Sequence, residues 1–297
     1  MTFSDHLVRD AVAAAGLGKV RTLVPAGAGE RNEVVIVESD GGPVVVRLLV
    51  DDTRLAMETA LLAIAAHAGV PVAEVLWSAE TPRPVMIQRR LPGRRLGDTA
   101  PSEGLCASAA DVLRRIHAIP IEEGFGNLQA NLQGQTAMLS EWFVDVVAAE
   151  VEAALASPIA TIAPDDARLL ETSVARLANA RSLLDRQPTG LAHGDFHAYN
   201  LLADGNRITG VLDWEAAKSG PPALDFGWWD WFTDVWGNPW PTDRLLHHYD
   251  PDGRLDREEL SALRSLVVRR VWTRELISGL RSGDAKRAEA ARQALSG

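Results

Sequence analysis

LAHGDFHAYNLLADGNRITGVLDWE, residues Leu191 to Glu215, is the stretch that decides how this chain is read. It places Asp195 five positions before Asn200, then a strand-like run, Ile208–Leu212, and then Asp213-Trp214. A D-x-x-x-x-N followed by a second Asp suits phosphoryl transfer. One carboxylate takes the proton of a hydroxyl nucleophile, while an amide and a second carboxylate hold Mg²⁺ on the phosphates of ATP or GTP. A lone D-x-x-x-x-N is common by chance. One preceded by His193-Gly194 and followed by a strand and Asp-Trp is not.

Outward from that stretch, the chain divides by pattern. Val20–Val24, Glu33–Ser39, Val44–Val50, Val72–Ser78 and Pro84–Arg90 read as strands, and the turn Asp40-Gly41-Gly42 marks a hairpin. Two helices are expected beside them, Phe3–Ala15 and Leu55–Ala68. Pro92-Gly93 punctuates the chain, so residues 1–91 are expected to form a small β-rich, nucleotide-binding lobe. Residues 92–297 then form a larger, mainly helical lobe. Its helices are expected at Ser108–Ile119, Ser140–Leu155, Asp165–Leu184, Glu258–Leu280 and Asp284–Leu295, and Asp256 and Glu259 have the spacing of a capping box. The fold class is α+β.

Composition narrows the function. Of the 297 residues 46% are hydrophobic and 24% charged, as in a soluble globular protein. No signal peptide and no membrane span are expected, and the lone Cys106 reads as a buried helix residue in a reducing, cytoplasmic setting. A net charge of −10 argues against a nucleic-acid partner. No Lys or Arg occurs from Ile116 to Ala167, a run that contains Glu122, Glu123, Glu141, Asp145, Glu150, Glu152, Asp165 and Asp166. A second such run, Ser219–Asp243, adds Asp225, Asp230, Asp234 and Asp243. Two readings stay open: solvated acidic faces, or an acidic cleft that attracts a cationic substrate.

Three further features could serve a nucleotide or its acceptor. The loop Gly27-Ala28-Gly29-Glu30-Arg31-Asn32 lets backbone N–H groups approach phosphates, although most glycine turns between strands bind nothing. Arg47 interrupts the apolar strand PVVVRLLV. It is either a surface charge on an edge strand or a buried one that needs a partner, for which Glu58 on the next helix is the natural choice. The segment FGWWDWFTDVWGNPW holds Trp228, Trp229, Trp231, Trp236 and Trp240. Such rings are either core or a platform for a sugar face, with Asp230 or Asp234 placed to take an ammonium.

Taken together, HGDFHAYN, Leu212-Asp213-Trp214, Asp225 in PPALDF, Gly29-Glu30-Arg31-Asn32 and Val45-Val46-Arg47 resemble the aminoglycoside phosphotransferase-like family of the kinase superfold over nearly the whole length. IQRRLPG (Ile87–Gly93), GFGNL (Gly124–Leu128), Trp142, NRITGVLDWEAA and the Trp-rich segment bring it nearest to hygromycin-type phosphotransferases. HGDFHAYN departs from that group's version and leaves the acceptor open. The resemblance implies Asp195 as general base and Asn200 and Asp213 as Mg²⁺ ligands. Arg47 with Glu58 would hold the nucleotide phosphates, under a cover of Gly27, Gly29, Arg31 and Asn32. The carbonyl of Arg89 and the amide of Leu91 would read the base edge, and His193 and Asp225 would support the catalytic loop, with His197 also structural. Acceptor contacts are sought among Glu141, Trp142, Asp145, Asp230, Trp231 and Asp234. The expected activity is O-phosphorylation of a small cationic molecule, an aminoglycoside-type antibiotic first, by a monomer or dimer. A macrolide, amino alcohol or sugar acceptor, or a non-catalytic nucleotide binder, are the rival readings. Protein kinase activity is disfavoured, because Asp213 to Asp225 is short for an activation loop and no A-P-E follows.

Overall fold

The computed structural model describes residues 5–28, 33–49, 54–80, 83–157, 162–237 and 239–297, with the side chains of residues 27 and 28 outside that description. The chain forms two compact units. The first takes in residues 1–116, 130–132 and 198–215, and the second residues 117–129, 133–197 and 216–297.

In the first unit, α1 (Asp5–Ala14) precedes β1 (Val20–Ala28), β2 (Glu33–Ser39) and β3 (Gly42–Leu48). After α2 (Leu55–His67) come β4 (Val75–Ala79) and β5 (Val85–Arg89). The five strands make one antiparallel sheet in the order β1-β2-β3-β5-β4. The β2–β3 register pairs Ser39 with Gly42, so Asp40 and Gly41 alone make the turn. Gly42, at φ 100°, adopts a conformation that favours glycine. Pro25, which cannot donate to a ladder, sits on the edge strand β1, where one side needs no donor. Side-chain alternation does the rest. Val35, Val37, Val44, Val46 and Leu48 are at most 1% exposed and pack with Val8 and Val12 of α1, Val85 and Ile87. Arg47, between Val46 and Leu48, points to the opposite face and is nevertheless only 8% exposed. It lies on β3, in the middle of the sheet, which removes the edge-strand reading. The same unit contains β6 (Arg94–Arg95), α3 (Glu103–His117, its last residue in the second unit), β10 (Leu201–Asp204) and β11 (Arg207–Val211). These last strands form a small sheet in the order β11-β10-β6.

The second unit is built on helices around α9. It contains β7 (Phe125–Leu128), β8 (Gly134–Thr136), α4 (Val146–Leu155), α5 (Pro164–Ala178), α6 (Arg181–Leu184) and β9 (Leu191–Ala192). Then follow β12 (Lys218–Ser219), α7 (Ala223–Trp236), α8 (Thr242–Tyr249), α9 (Arg257–Ser282) and α10 (Ala285–Ser296). Helices α4, α5, α7 and α10 all pack on α9. Asp256 caps α9 as the sequence predicts, accepting from the N–H groups of Glu258 and Glu259 at 3.0 Å. The Glu259 side chain does not complete the box. It accepts from Gln187 at 2.7 Å and pairs with Arg186 at 3.2 Å, because two charged or amide donors from another segment outcompete one backbone N–H.

The expected helix Ser140–Leu155 is interrupted in its first turn, where Glu141–Asp145 widens into a π-type turn before α4. Arg270 of α9 explains how the widened turn is held. Its Nε donates to the Phe143 carbonyl at 3.2 Å, and its guanidinium lies 4.0 Å over the Trp142 ring. Arg270→Ala should therefore cost about 2–4 kcal/mol of unfolding free energy, and Arg270→Met less because it keeps the stem volume. Thermal and urea melts of the two variants check this ordering.

Candidate active site

In the first unit the buried charges gather around Arg47. Its guanidinium is bonded to Glu58 of α2, which is fully buried, and lies 3.6 Å from Asp213 Oδ1. Burial alone would lower the Arg47 pKa. Glu58, Asp213 and Glu215 together outweigh it and hold the guanidinium above its ordinary value. Asp213 has φ 63°, in the left-handed region that non-glycine residues rarely enter. That conformation, costing roughly 1–3 kcal/mol, turns the chain sharply just after β11. The turn is fastened on both sides. Leu212 N–H donates to the Asn200 carbonyl at 2.8 Å, Arg54 donates to the Glu215 carbonyl at 3.2 Å, and the Trp214 indole donates to the Val211 carbonyl at 3.2 Å. The expected metal-ligand positions Asn200 and Asp213 are thus tied to each other and to Arg47 within one unit.

Of the remaining nucleotide candidates, Gly27 lies near the end of β1, and Gly29, Arg31 and Asn32 are outside the described residues. Arg89 ends β5, where its side chain pairs with Glu74 at 2.8 Å and its N–H donates to the Glu74 carbonyl at 2.9 Å. Leu91 follows, half-buried.

The second unit carries Asp195 on a turn held by Asp225, whose carboxylate is wholly buried at the start of α7. Asp225 Oδ2 accepts from the His193 N–H at 2.8 Å and Oδ1 from the Gly194 N–H at 2.7 Å. The ring that meets Asp225 is that of His117, at 2.9 Å from Nε2, with Tyr249 Oη 2.8 Å from the other ring nitrogen. Burial works to raise the Asp225 pKa. His117, His193 and the Gly194 N–H overcome it and hold the carboxyl below its ordinary range. His193 and Asp225, the pair expected from the resemblance, meet through the His193 backbone and not through its ring. His193 contributes its backbone to Asp225, and its Nδ1 faces the Asp195 N–H at 3.3 Å.

Asp195 itself shows the same balance. Burial pushes its pKa up, and His197, His193 and Lys218 pull it below the usual carboxylate value, so it is an anion at neutral pH. His197 Nε2 lies 3.4 Å from Asp195 Oδ1, and its ring is stacked on Phe232 with centroids 3.9 Å apart. Phe232 in turn stacks on Trp236, which is 66% exposed. Neither His117 nor Lys218 stands out in the sequence. A His ending an amphipathic helix and a Lys in a two-residue strand carry no local signal, and both matter through partners distant in sequence.

Among the described residues, four of the twelve acids in the two runs are reached by arginines from distant parts of the chain. Asp145 pairs with Arg181, Glu150 with Arg274, Asp166 with Arg292, and Asp230 with Arg264 through both oxygens. The Trp cluster is largely core: Trp229, Trp231 and Trp240 are 1%, 8% and 2% exposed, and Trp142 is buried under Arg270. Glu141 and Asp234 have exposed positions. Glu141 accepts from the Met138 N–H at 3.0 Å, and burial together with Asp230 raises the Asp234 pKa.

A five-stranded antiparallel sheet with a buried Arg–Glu pair, followed by a helical part carrying a buttressed Asp, is a kinase-like fold. Residues 22–263 match the phosphotransferase enzyme family, and the chain belongs to that family. Among solved structures, a thermostable mutant of aminoglycoside phosphotransferase APH(4)-Ia, in complex with AMP-PNP and hygromycin B, superposes with a TM-score of 0.77. It is 20% identical, over 97% of this chain and 96% of that one. Macrolide 2'-phosphotransferase MphH from Brachybacterium faecium gives a TM-score of 0.66 at 23% identity, over 98% and 97% of the two chains. An uncharacterized protein of Bacillus subtilis (strain 168), YcbJ, is 42% identical over 66 residues, which are 22% of this chain and 20% of that protein's length.

Asp225→Asn should lower stability at neutral pH by about 2–4 kcal/mol, since an amide cannot accept from both backbone N–H groups and His117 as a carboxylate does. Asp225's folded pKa is depressed, so its contribution is full above the unfolded carboxylate range and is lost as pH falls through the folded pKa. The stability gap between wild type and variant should thus be constant above about pH 5 and close on acidification. Urea melts across that range measure it.

Proposed function

We propose that the protein transfers the γ-phosphate of ATP or GTP to a hydroxyl of a small cationic molecule, with an aminoglycoside as the first acceptor to test. The observation that carries the reading is the buried Arg47, bonded to Glu58 and facing Asp213. A buried guanidinium between two carboxylates has three roles available: pairing, packing or holding an anion. Its arrangement with a strained Asp and a tethered Asn suits the third.

In this reading Asp195 accepts the proton of the acceptor hydroxyl. The hydroxyl oxygen forms a bond to the γ-phosphorus, and the bond from phosphorus to the β-bridging oxygen breaks, releasing the nucleoside diphosphate. A base held below the ordinary Asp pKa suffices, because the proton leaves late in a loose transition state. Arg47, kept in place by Glu58, neutralises phosphate charge. The residues fit a magnesium ion. Asn200 and Asp213 offer hard oxygen donors, and among the described residues no group of three or more His, Cys, Asp and Glu is placed to hold a metal alone, so phosphate oxygens would complete the shell. When bound there, magnesium supplies charge neutralisation and alignment of the phosphates.

On the acceptor side, we assign direct contact to Glu141 and Asp234, whose positions are exposed. Asp145, paired with Arg181, Asp230, paired with Arg264, and the buried Trp142 and Trp231 are given no direct contact. Two proteins of the same fold, one described with hygromycin B and the other a macrolide 2'-phosphotransferase, support testing these two acceptor classes first. The negative side chains favour the aminoglycoside, and exposed Trp236 keeps the macrolide as the second reading. Nucleotide specificity, a single-chain working state and antibiotic inactivation belong to this same proposal.

Mass spectrometry of a panel of aminoglycosides, macrolides, amino alcohols and sugars, each with Mg²⁺ and ATP or GTP, should find one class gaining a phosphate. A panel with no phosphorylated product would overturn the proposal. With the accepted compound, Asp195→Ala should lower kcat by about a thousandfold or more while nucleotide affinity stays within a few-fold. Arg47→Met should instead raise the nucleotide KM as well as lower kcat.

A further inference from the structure

Lys218 is a half-buried cation to which the proposed mechanism gives no task. It sits in β12, a strand of two residues paired on both sides. Lys218 is opposite Asn127 of β7 and opposite Ala192 of β9, and β9 runs directly into His193-Gly194-Asp195. The ammonium donates to the Gly194 carbonyl at 3.1 Å and to the Ala216 carbonyl at 2.6 Å. The first of these belongs to the peptide bond that joins Gly194 to Asp195. Gly194 has φ 78°, and a Cβ there would overlap both the Ala216 carbonyl and Lys218 Nζ. The glycine is thus required twice, for its left-handed backbone and for the room it leaves to the ammonium.

We propose that Lys218 is a positioning residue for phosphoryl transfer: its ammonium clamps the peptide bond before Asp195 to the Ala216 carbonyl and adds a positive charge near that carboxylate. This rests on the reading of Asp195 as the base. Two carbonyls could have been satisfied by a neutral amide, and burying a cation is costly without a charge to offset it. The carboxylates acting on Lys218 are those of Asp195 and Asp225, and the cations acting against it are Arg270 and Arg274. Burial and those arginines outweigh the two carboxylates and bring the ammonium down to about 8. The clamp therefore loosens as pH rises through that value.

The test compares wild type, Lys218→Met and Lys218→Arg, using whichever acceptor the wild type phosphorylates. Lys218→Met should lower kcat about thirtyfold or more with the nucleotide KM nearly unchanged, and should move the acid limb of the kcat profile to higher pH. Lys218→Arg should recover most of kcat and lose the wild-type decline above about pH 8, because a guanidinium stays protonated there. Lys218→Met with wild-type kcat and an unmoved acid limb would overturn the proposal, as would an arginine variant no better than the methionine one. A second readout needs no turnover. The chain has three lysines, Lys19, Lys218 and Lys286, so ¹³Cε shifts of lysine-labelled protein report the Lys218 titration directly. Asp195→Asn should lower that pKa by about half a unit or more. An unchanged value would contradict the link even if the acceptor panel is silent, and a shifted value with a silent panel would count against the transfer reaction alone.

Discussion

The carboxylate of Asp225 is the contact on which the second unit's chemistry depends. A turn of backbone cannot hold a side chain such as that of Asp195 still unless its own N–H groups are fixed, and those of His193 and Gly194 lie outside helix and sheet ladders. Asp225, fully buried at the first turn of α7, accepts from both and is itself held by His117, which is held by Tyr249. Four elements far apart in sequence thus meet at one charge. The arrangement is stable because each acceptor is matched, and an unmatched carboxylate at that depth would be strongly destabilising. The first unit uses the same device with the sign reversed: Arg47 is the buried charge, and Glu58 and Asp213 are its partners.

Pairing of charges also bears on the two acidic runs of the sequence. Long stretches without Lys or Arg suggest an acidic cleft when read linearly. In three dimensions, Arg181, Arg264, Arg274 and Arg292 reach back to Asp145, Asp230, Glu150 and Asp166. Glu122, Glu123, Glu141, Glu152, Asp165, Asp234 and Asp243 keep exposed positions. The tryptophans divide in a similar way. Three are core, while Trp236 ends the stack that runs through Phe232 and His197 toward Asp195.

Much of the fold is legible in the sequence, for identifiable reasons. The hairpin at Asp40-Gly41, the helix at Leu55, the cap at Asp256 and the long helix after it all follow from local turn chemistry and apolar spacing. The kinase-like class is reached through the family resemblance that Asp195, Asn200, Asp213 and Arg47 help to carry. Features with no local signature stay hidden. Strands of two residues, β6, β9 and β12, exist only because a neighbour pairs with them, and α8 is masked by the prolines and tryptophans around it. The π-type turn at Glu141–Asp145 depends on Arg270, more than a hundred residues away. His117 and Lys218 escape a linear reading for the same reason: each is defined by a contact across the unit.

If Asp195 is a base, the phosphoryl group passes directly from nucleotide to hydroxyl. The stereochemistry at phosphorus tests this most directly, using ATP or GTP made chiral at the γ-phosphorus with oxygen isotopes and the accepted hydroxyl compound. Direct in-line transfer predicts inversion of configuration in the phosphorylated product. Net retention would mean two successive displacements through a phosphorylated side chain, and would contradict the role of Asp195 as a base.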